Sequence, residues 1–88
     1  MLNPVFRKQI QKDLKRLQKQ GKDMRKFKAV VHQLLTGQPL PPRYRDHALT
    51  GNWAGFRDCH IEPDWLLIYQ ITSTELILVR SGYHSDLF

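Results

Sequence analysis

FRDCHIEPDWLLIYQITSTELILVRSGYHSDLF, residues 56–88, reads as three β-strands separated by two turns. Phe56–Ile61 alternates, with Phe56, Asp58 and His60 on one face and Arg57, Cys59 and Ile61 on the other. Glu62-Pro63-Asp64 is a turn, and Trp65–Ile71 is apolar on both faces, as a central strand covered on both sides would be. Thr72-Ser73-Thr74 turns the chain into Glu75–Ser81, and Gly82 releases it into a short tail. The polar outliers are His60, Asp64, Arg80 and His84, with Trp65, Tyr83 and Phe88 among them. Ionisable groups are costly inside a sheet without partners, so their places at the ends of apolar runs point to strand ends converging on one site.

Upstream, Gln38-Pro39-Leu40-Pro41-Pro42 cannot be helical and reads as a stiff connector. It leads into Arg43-Tyr44-Arg45-Asp46-His47 and a turn-rich loop that ends at Gly55. Before the connector lie two helices. The first carries Phe6, Ile10, Leu14 and Leu17 at helical spacing, with Asn3 as N-cap, Pro4 at the first helical position and Gly21 as the stop. Asp23 caps the second, whose stripe is Met24, Phe27, Val30, Val31, Leu34 and Leu35, and Gly37 ends it. Met1–Leu2 leaves space for a strand stub only. The expected class is α+β, with two N-terminal helices packed on one face of a small antiparallel sheet. Residues 1–88 read as one domain.

Charge is unevenly spread. Residues 1–28 hold ten Lys/Arg against two Asp, a balance of +8, while the rest of the chain holds four Arg against six Asp/Glu, a balance of −2. A one-sided positive field suits a polyanion such as nucleic acid, or an acidic protein partner. No apolar run approaches the roughly 20 residues that cross a bilayer. The single cysteine, Cys59, excludes an internal disulfide, and the N-terminus turns charged too early for a signal peptide. A cytosolic protein is expected.

Metal-free RNA cleavage needs a base for the 2′-hydroxyl, an acid for the 5′-oxygen and positive charge beside the phosphorane. Histidine suits either proton role because its unperturbed pKa, about 6.5, lies near neutrality. Arginine matches phosphate oxygens with a fork that never loses its charge. His47, His60, Asp64, Arg80 and His84 supply this inventory, and Trp65, Tyr83 and Phe88 supply rings for an unstacked base. Each also has a plain alternative: an exposed loop histidine, a turn cap, a snorkelling arginine, a packing tryptophan. Cys59 and His60 point to opposite faces, and no HxxxH or CxxC spacing occurs, so neither a metal nor another cofactor is expected. His32, on the second helix one turn after Lys28, reads as a solvated or core histidine with no role in the site.

The segments PLPPRYRDHALTGNW, FRDCHIEPDWLLIYQI and LVRSGYHSDLF closely resemble the YafQ branch of the RelE superfamily, the toxins of type II toxin–antitoxin pairs. The likeness extends over the helices. It departs at the N-terminus, where family members open with a longer first strand. The resemblance implies an endoribonuclease that cuts mRNA on the ribosome without a metal and is neutralised by a cognate antitoxin, in a toxin–antitoxin hetero-oligomer. It carries His47 onto the histidine of the D-H loop, His60 and Asp64 onto the H-x-x-P-D-W pair, and Arg80 and His84 onto the R-x-G-x-H pair. Phe88 falls on the terminal aromatic that positions a base, and Trp65 also falls on a family position. On this reading Arg80 stabilises the phosphorane, His84 is the general acid, and Asp64 or His60 activates the 2′-hydroxyl with His47 orienting or sharing that task. Lys12, Lys15, Lys19 and Lys22 would anchor the protein on ribosome or RNA phosphates. The competing readings are a non-catalytic RNA- or protein-binding module of the same fold and a ribosome-independent RNase.

Overall fold

A computed structural model describes all of residues 1–88. The elements run β1 (Asn3–Phe6), α1 (Lys8–Lys19), α2 (Met24–Leu35), β2 (His47–Ala48), β3 (Arg57–Glu62), β4 (Trp65–Ile71), β5 (Glu75–Tyr83) and α3 (His84–Leu87). Short 3₁₀ turns at Pro42–Tyr44 and Gly51–Trp53 flank β2. The five strands form one sheet in the order β1-β5-β4-β3-β2. All neighbours are antiparallel except β1 and β5, which run parallel.

That parallel edge corrects two expectations. The sheet is mixed rather than wholly antiparallel, and Asn3-Pro4 starts a strand instead of capping a helix. Asn3 donates its N–H to Thr74 and Arg7 donates to Leu78, so alternate amides of this segment face β5. Pro4 falls between them, where its missing N–H would have pointed away from the sheet, the position an edge strand tolerates. Phe6 therefore leaves the helical stripe and stands 41% exposed. The helix begins at Lys8 and buries Ile10, Asp13 and Leu17. As expected, Asp23 caps α2 by accepting from the Arg25 N–H at 3.0 Å, and Gly21 and Gly37 take positive φ just past the two helix ends.

Both helices cover one face of the sheet. Their apolar residues pack with Cys59, Ile61, Trp65, Leu67, Tyr69, Leu76 and Leu78. Burial pushes the Cys59 thiol pKa far up, which makes it an inert packing group. The other face carries a smaller cluster of Leu66, Ile68 and Leu87, flanked by Leu49, Trp53, Phe56 and Val79. The strand β5 extends through Gly82 to Tyr83, two residues further than the apolar run predicts. The tail then turns once as α3 and docks by Leu87.

Trp65 needs a correction. It is 0% exposed, and its indole N–H donates to the Ser81 hydroxyl at 2.9 Å, so it fills the core and presents no ring to a base. Lys22 needs another. Its ammonium is bound to Glu62 at 2.6 Å, sits 5.0 Å from the Tyr83 ring centre and is mostly covered, so it ties the α1–α2 link to the end of β3. Lys12, Lys15 and Lys19 remain exposed on α1.

Candidate active site

The sheet face opposite the helices brings the histidines together. The register aligns His47 with Asp58, Asp58 with Ile68 and Ile68 with Arg80, one row crossing four strands. The next row aligns His60, Leu66 and Gly82, with His84 just beyond. Partners in a row share a face. The Asp58 carboxylate lies 3.8 Å from His47 Nε2, and the His47 and His60 rings are 6.5 Å apart. His47, His60 and His84 are the positive neighbours whose charge acts on Asp58.

Asp58 is the residue that sequence reasoning missed. It is 3% exposed, and its Oδ1 has no hydrogen-bond partner. Burial raises its pKa, and protonated His47, His60 and His84 would offset part of that rise. A buried carboxyl among three imidazoles can stabilise an imidazolium or exchange a proton with one. The signal was present in the alternation, which puts Asp58 on the face of His60 one pleat away.

Two backbone carbonyls set the histidine tautomers. His47 Nδ1 lies 2.7 Å from the Arg45 carbonyl, and His60 Nδ1 lies 2.9 Å from the Pro63 carbonyl. A carbonyl only accepts, so each Nδ1 carries the proton and each neutral ring keeps a basic Nε2. Asp46, next to His47, faces the opposite way. It accepts from the buried Tyr69 hydroxyl and from Arg57 Nε, fastening the loop to the sheet. Burial, and then the bond to Asp46, push the Tyr69 pKa far up.

At the tail, the His84 and Phe88 rings lie 5.1 Å apart, and Phe88 meets Trp53 at 6.2 Å. Phe88 is half-exposed and available for stacking.

Arg80 is not in direct contact with the histidines. Asp58 and Arg80 are separated by one strand, about 10 Å at the usual spacing of strands. The Arg80 guanidinium is held by Asp13 of α1, through Nε at 2.9 Å and Nη2 at 3.4 Å, which leaves Nη1 unused by that pair. Asp13 is 0% exposed and also accepts from the Ser81 N–H at 3.1 Å and Gln9 at 3.3 Å. Burial alone would raise its pKa, but the bonds from Arg80, Ser81 and Gln9 outweigh it and hold the carboxylate below its ordinary range. Arg16 joins the same carboxylate at 3.4 Å. Its Nη2 would lie 3.1 Å from a Cβ at position 82, so glycine there leaves room for the guanidinium. Asp64 is exposed in the β3–β4 turn, outside the histidine cluster. No group of three His, Cys, Asp or Glu side chains is arranged to hold a metal ion. No helix is long and apolar enough to cross a membrane.

Comparison with known proteins adds the following. A sequence model of the family described as the bacterial toxin of type II toxin–antitoxin system, YafQ, matches residues 2–88. The mRNA interferase toxin YafQ of Escherichia coli K12 is 48% identical over 81 residues, which cover 91% of this chain and 88% of that one. A copper-bound mutant toxin from Helicobacter pylori is 44% identical and superposes with a TM-score of 0.97, with 100% of both chains covered. YafQ in the E. coli DinJ–YafQ complex is 43% identical with a TM-score of 0.93, covering 100% of this chain and 99% of the other.

Proposed function

The chain belongs to the YafQ family of type II toxin–antitoxin toxins, and from that premise we propose that His47, Asp58, His60 and His84 cut mRNA with no metal, on the ribosome, in the cytoplasm. It is an endoribonuclease, an mRNA interferase, and a cognate antitoxin is its protein partner, as DinJ is for the E. coli toxin. The observation that carries the mechanism is the buried carboxyl of Asp58 with three imidazoles around it.

The 2′-hydroxyl loses its proton to the Nε2 of His60 or His47, the atom each ring keeps unprotonated while its Nδ1–H is held by a carbonyl. The oxygen attacks phosphorus, and the 5′-oxygen leaves as it takes a proton from His84. Asp58 stabilises whichever imidazole is then positive. Arg80, held by Asp13 along one edge of its guanidinium, offers Nη1 to the phosphorane oxygens. Asp64 is recruited on docking, from its exposed turn beside the carbonyl that anchors His60. Phe88 stacks on a base next to the cut. Lys12, Lys15 and Lys19 dock on ribosomal phosphates. The H. pylori relative is a copper-bound mutant toxin, whereas the scheme proposed for this chain runs on side chains alone.

The test is mRNA cleavage in a translating extract with His84→Ala and His60→Ala proteins. Each should retain its fold and lose about 10²–10⁴-fold in rate, the usual contribution of a general acid or base. Unchanged cleavage by His84→Ala would remove the acid assignment. Parallel reactions on naked mRNA distinguish the ribosomal mode from a free-standing RNase.

A further inference from the structure

A second basic feature opens beside the histidines. The two-residue β2 pairs only with Arg57 and Asp58, so the rest of the β3 edge borders a cleft of about 630 Å³. Arg25 and Lys26 at the start of α2 line one wall, the 3₁₀ turn with Arg43, Tyr44 and Arg45 lines the other, and His60 stands at the end shared with the active site. Its one carboxylate, Glu62, is already bound to Lys22 and Lys26, and Arg25 is paired with Asp23. Arg43 and Arg45 belong to none of the molecule's ion pairs. The Arg43 guanidinium lies 4.8 Å from the Tyr44 ring centre and donates to its hydroxyl, which stiffens it over the cleft.

A second observation is independent of charge. Arg45 has φ +48°, the only positive φ outside glycine in the chain. A side chain in that left-handed conformation costs energy, and such strain gathers where a site requires it. Here the turn aims the Arg45 carbonyl at His47 Nδ1 while its side chain lines the cleft. One strained residue thus serves both places.

We infer that this cleft is a track for the single-stranded RNA backbone next to the scissile linkage, with Arg43 and Arg45 binding its phosphates. The inference rests on the nuclease reading above and extends it from the cut to the neighbouring nucleotides. Two arginines without carboxylate partners, in a cleft continuous with His60, match a polyanion entering from that side. An extended acidic peptide is the rival occupant.

The experiment compares wild type, an Arg43→Gln/Arg45→Gln double variant and an Arg43→Lys/Arg45→Lys double variant. Primer extension follows mRNA cleavage against toxin concentration in a translating extract. Anisotropy follows binding of a labelled 2′-O-methyl RNA oligonucleotide, which cannot be cut, to the purified proteins. The glutamine variant should need at least tenfold more toxin for half-maximal cleavage and bind the oligonucleotide correspondingly more weakly, and lysine should restore most of both losses. Superimposed cleavage curves would overturn the inference and leave the cleft to a protein partner. A lower saturating rate at unchanged half-saturation would also overturn it, since the turn would then act only by placing His47. Wild type that neither cuts nor binds would remove the nuclease reading and the track together. Wild type that cuts with a variant indistinguishable from it removes the track alone.

Discussion

Replacing Asp13 by Asn leaves the volume of the side chain almost unchanged and deletes one buried charge. In the native protein that charge is shared by Arg80, Arg16, Gln9 and the Ser81 N–H. Removing one partner of a fully buried ion pair costs about 3–5 kcal/mol. Here Arg80 and Arg16 keep 24% and 39% of their side-chain surface in water, so part of the penalty is relieved, and about 2–3 kcal/mol remains. In a domain of this size each kcal/mol moves Tm by about 4–8 °C, so the midpoint should fall by about 8–24 °C. Urea unfolding followed by tryptophan fluorescence reads the effect, because Trp65 is bonded to Ser81, the neighbour of Arg80. Removing Arg80 as well should cost less than the sum of the single changes. The pH profile adds a signed check. The folded pKa of Asp13 is depressed, so its contribution is fully present above the unfolded value of about 3.9 and is lost as pH falls through the folded value. Wild type should therefore lose its advantage over the Asn protein on acidification. An Asp13→Asn protein within about 0.5 kcal/mol of wild type at neutral pH would refute the view that α1 holds Arg80 through a buried charge.

Asp58 has the opposite sign. Its folded pKa is raised, so ionisation at neutral pH works against folding, and Asp58→Asn should raise Tm at pH 7 while cleavage drops by about 10²-fold or more. A destabilised Asn protein would contradict the burial argument. Trp65→Phe should lose about 1 kcal/mol with its bond to Ser81 yet cleave mRNA normally; a cleavage defect out of proportion to the stability loss would return Trp65 to the RNA. Changing Lys12, Lys15 and Lys19 to Gln should weaken cosedimentation with ribosomes and lower its salt dependence by roughly 0.7–0.9 logarithmic units for each phosphate no longer neutralised. Equal cosedimentation from low to high salt would remove α1 as the anchor.

Much of this was legible in the chain. Alternation in β3, the continuous apolar run of β4, the glycines that stop both helices, and the Asp23 cap are local signals, and local signals survive folding. The resemblance carried the histidines, and their grouping on one sheet face follows from register. What was hidden is non-local. Nothing in NPVF says that it pairs in parallel with a strand far along the chain, and a proline beside an asparagine is as good a helix start as an edge strand. Asp13 sits among lysines and reads as one more surface charge, because its partners Arg80 and Ser81 are distant in sequence. Lys22 reads as an exposed anchor for the same reason, since its partner Glu62 lies at the end of β3, and Trp65 stands open between packing and RNA because its partner Ser81 is distant in sequence. Asp58 needed its neighbour His47, which only the pairing of β2 with β3 supplies.

The closing pair of the sheet sets a schedule for synthesis. Asn3–Phe6 leaves the ribosome early, but its mate, Glu75–Leu78, emerges only after both long helices and every other strand. Until those residues clear the exit tunnel the β1–β5 pair cannot close, and on the proposed assignment His84 at the start of α3 is not yet placed beside the other histidines. Competence arrives at the last stage of folding, which gives an antitoxin already present in the cell the first chance to capture the newborn toxin.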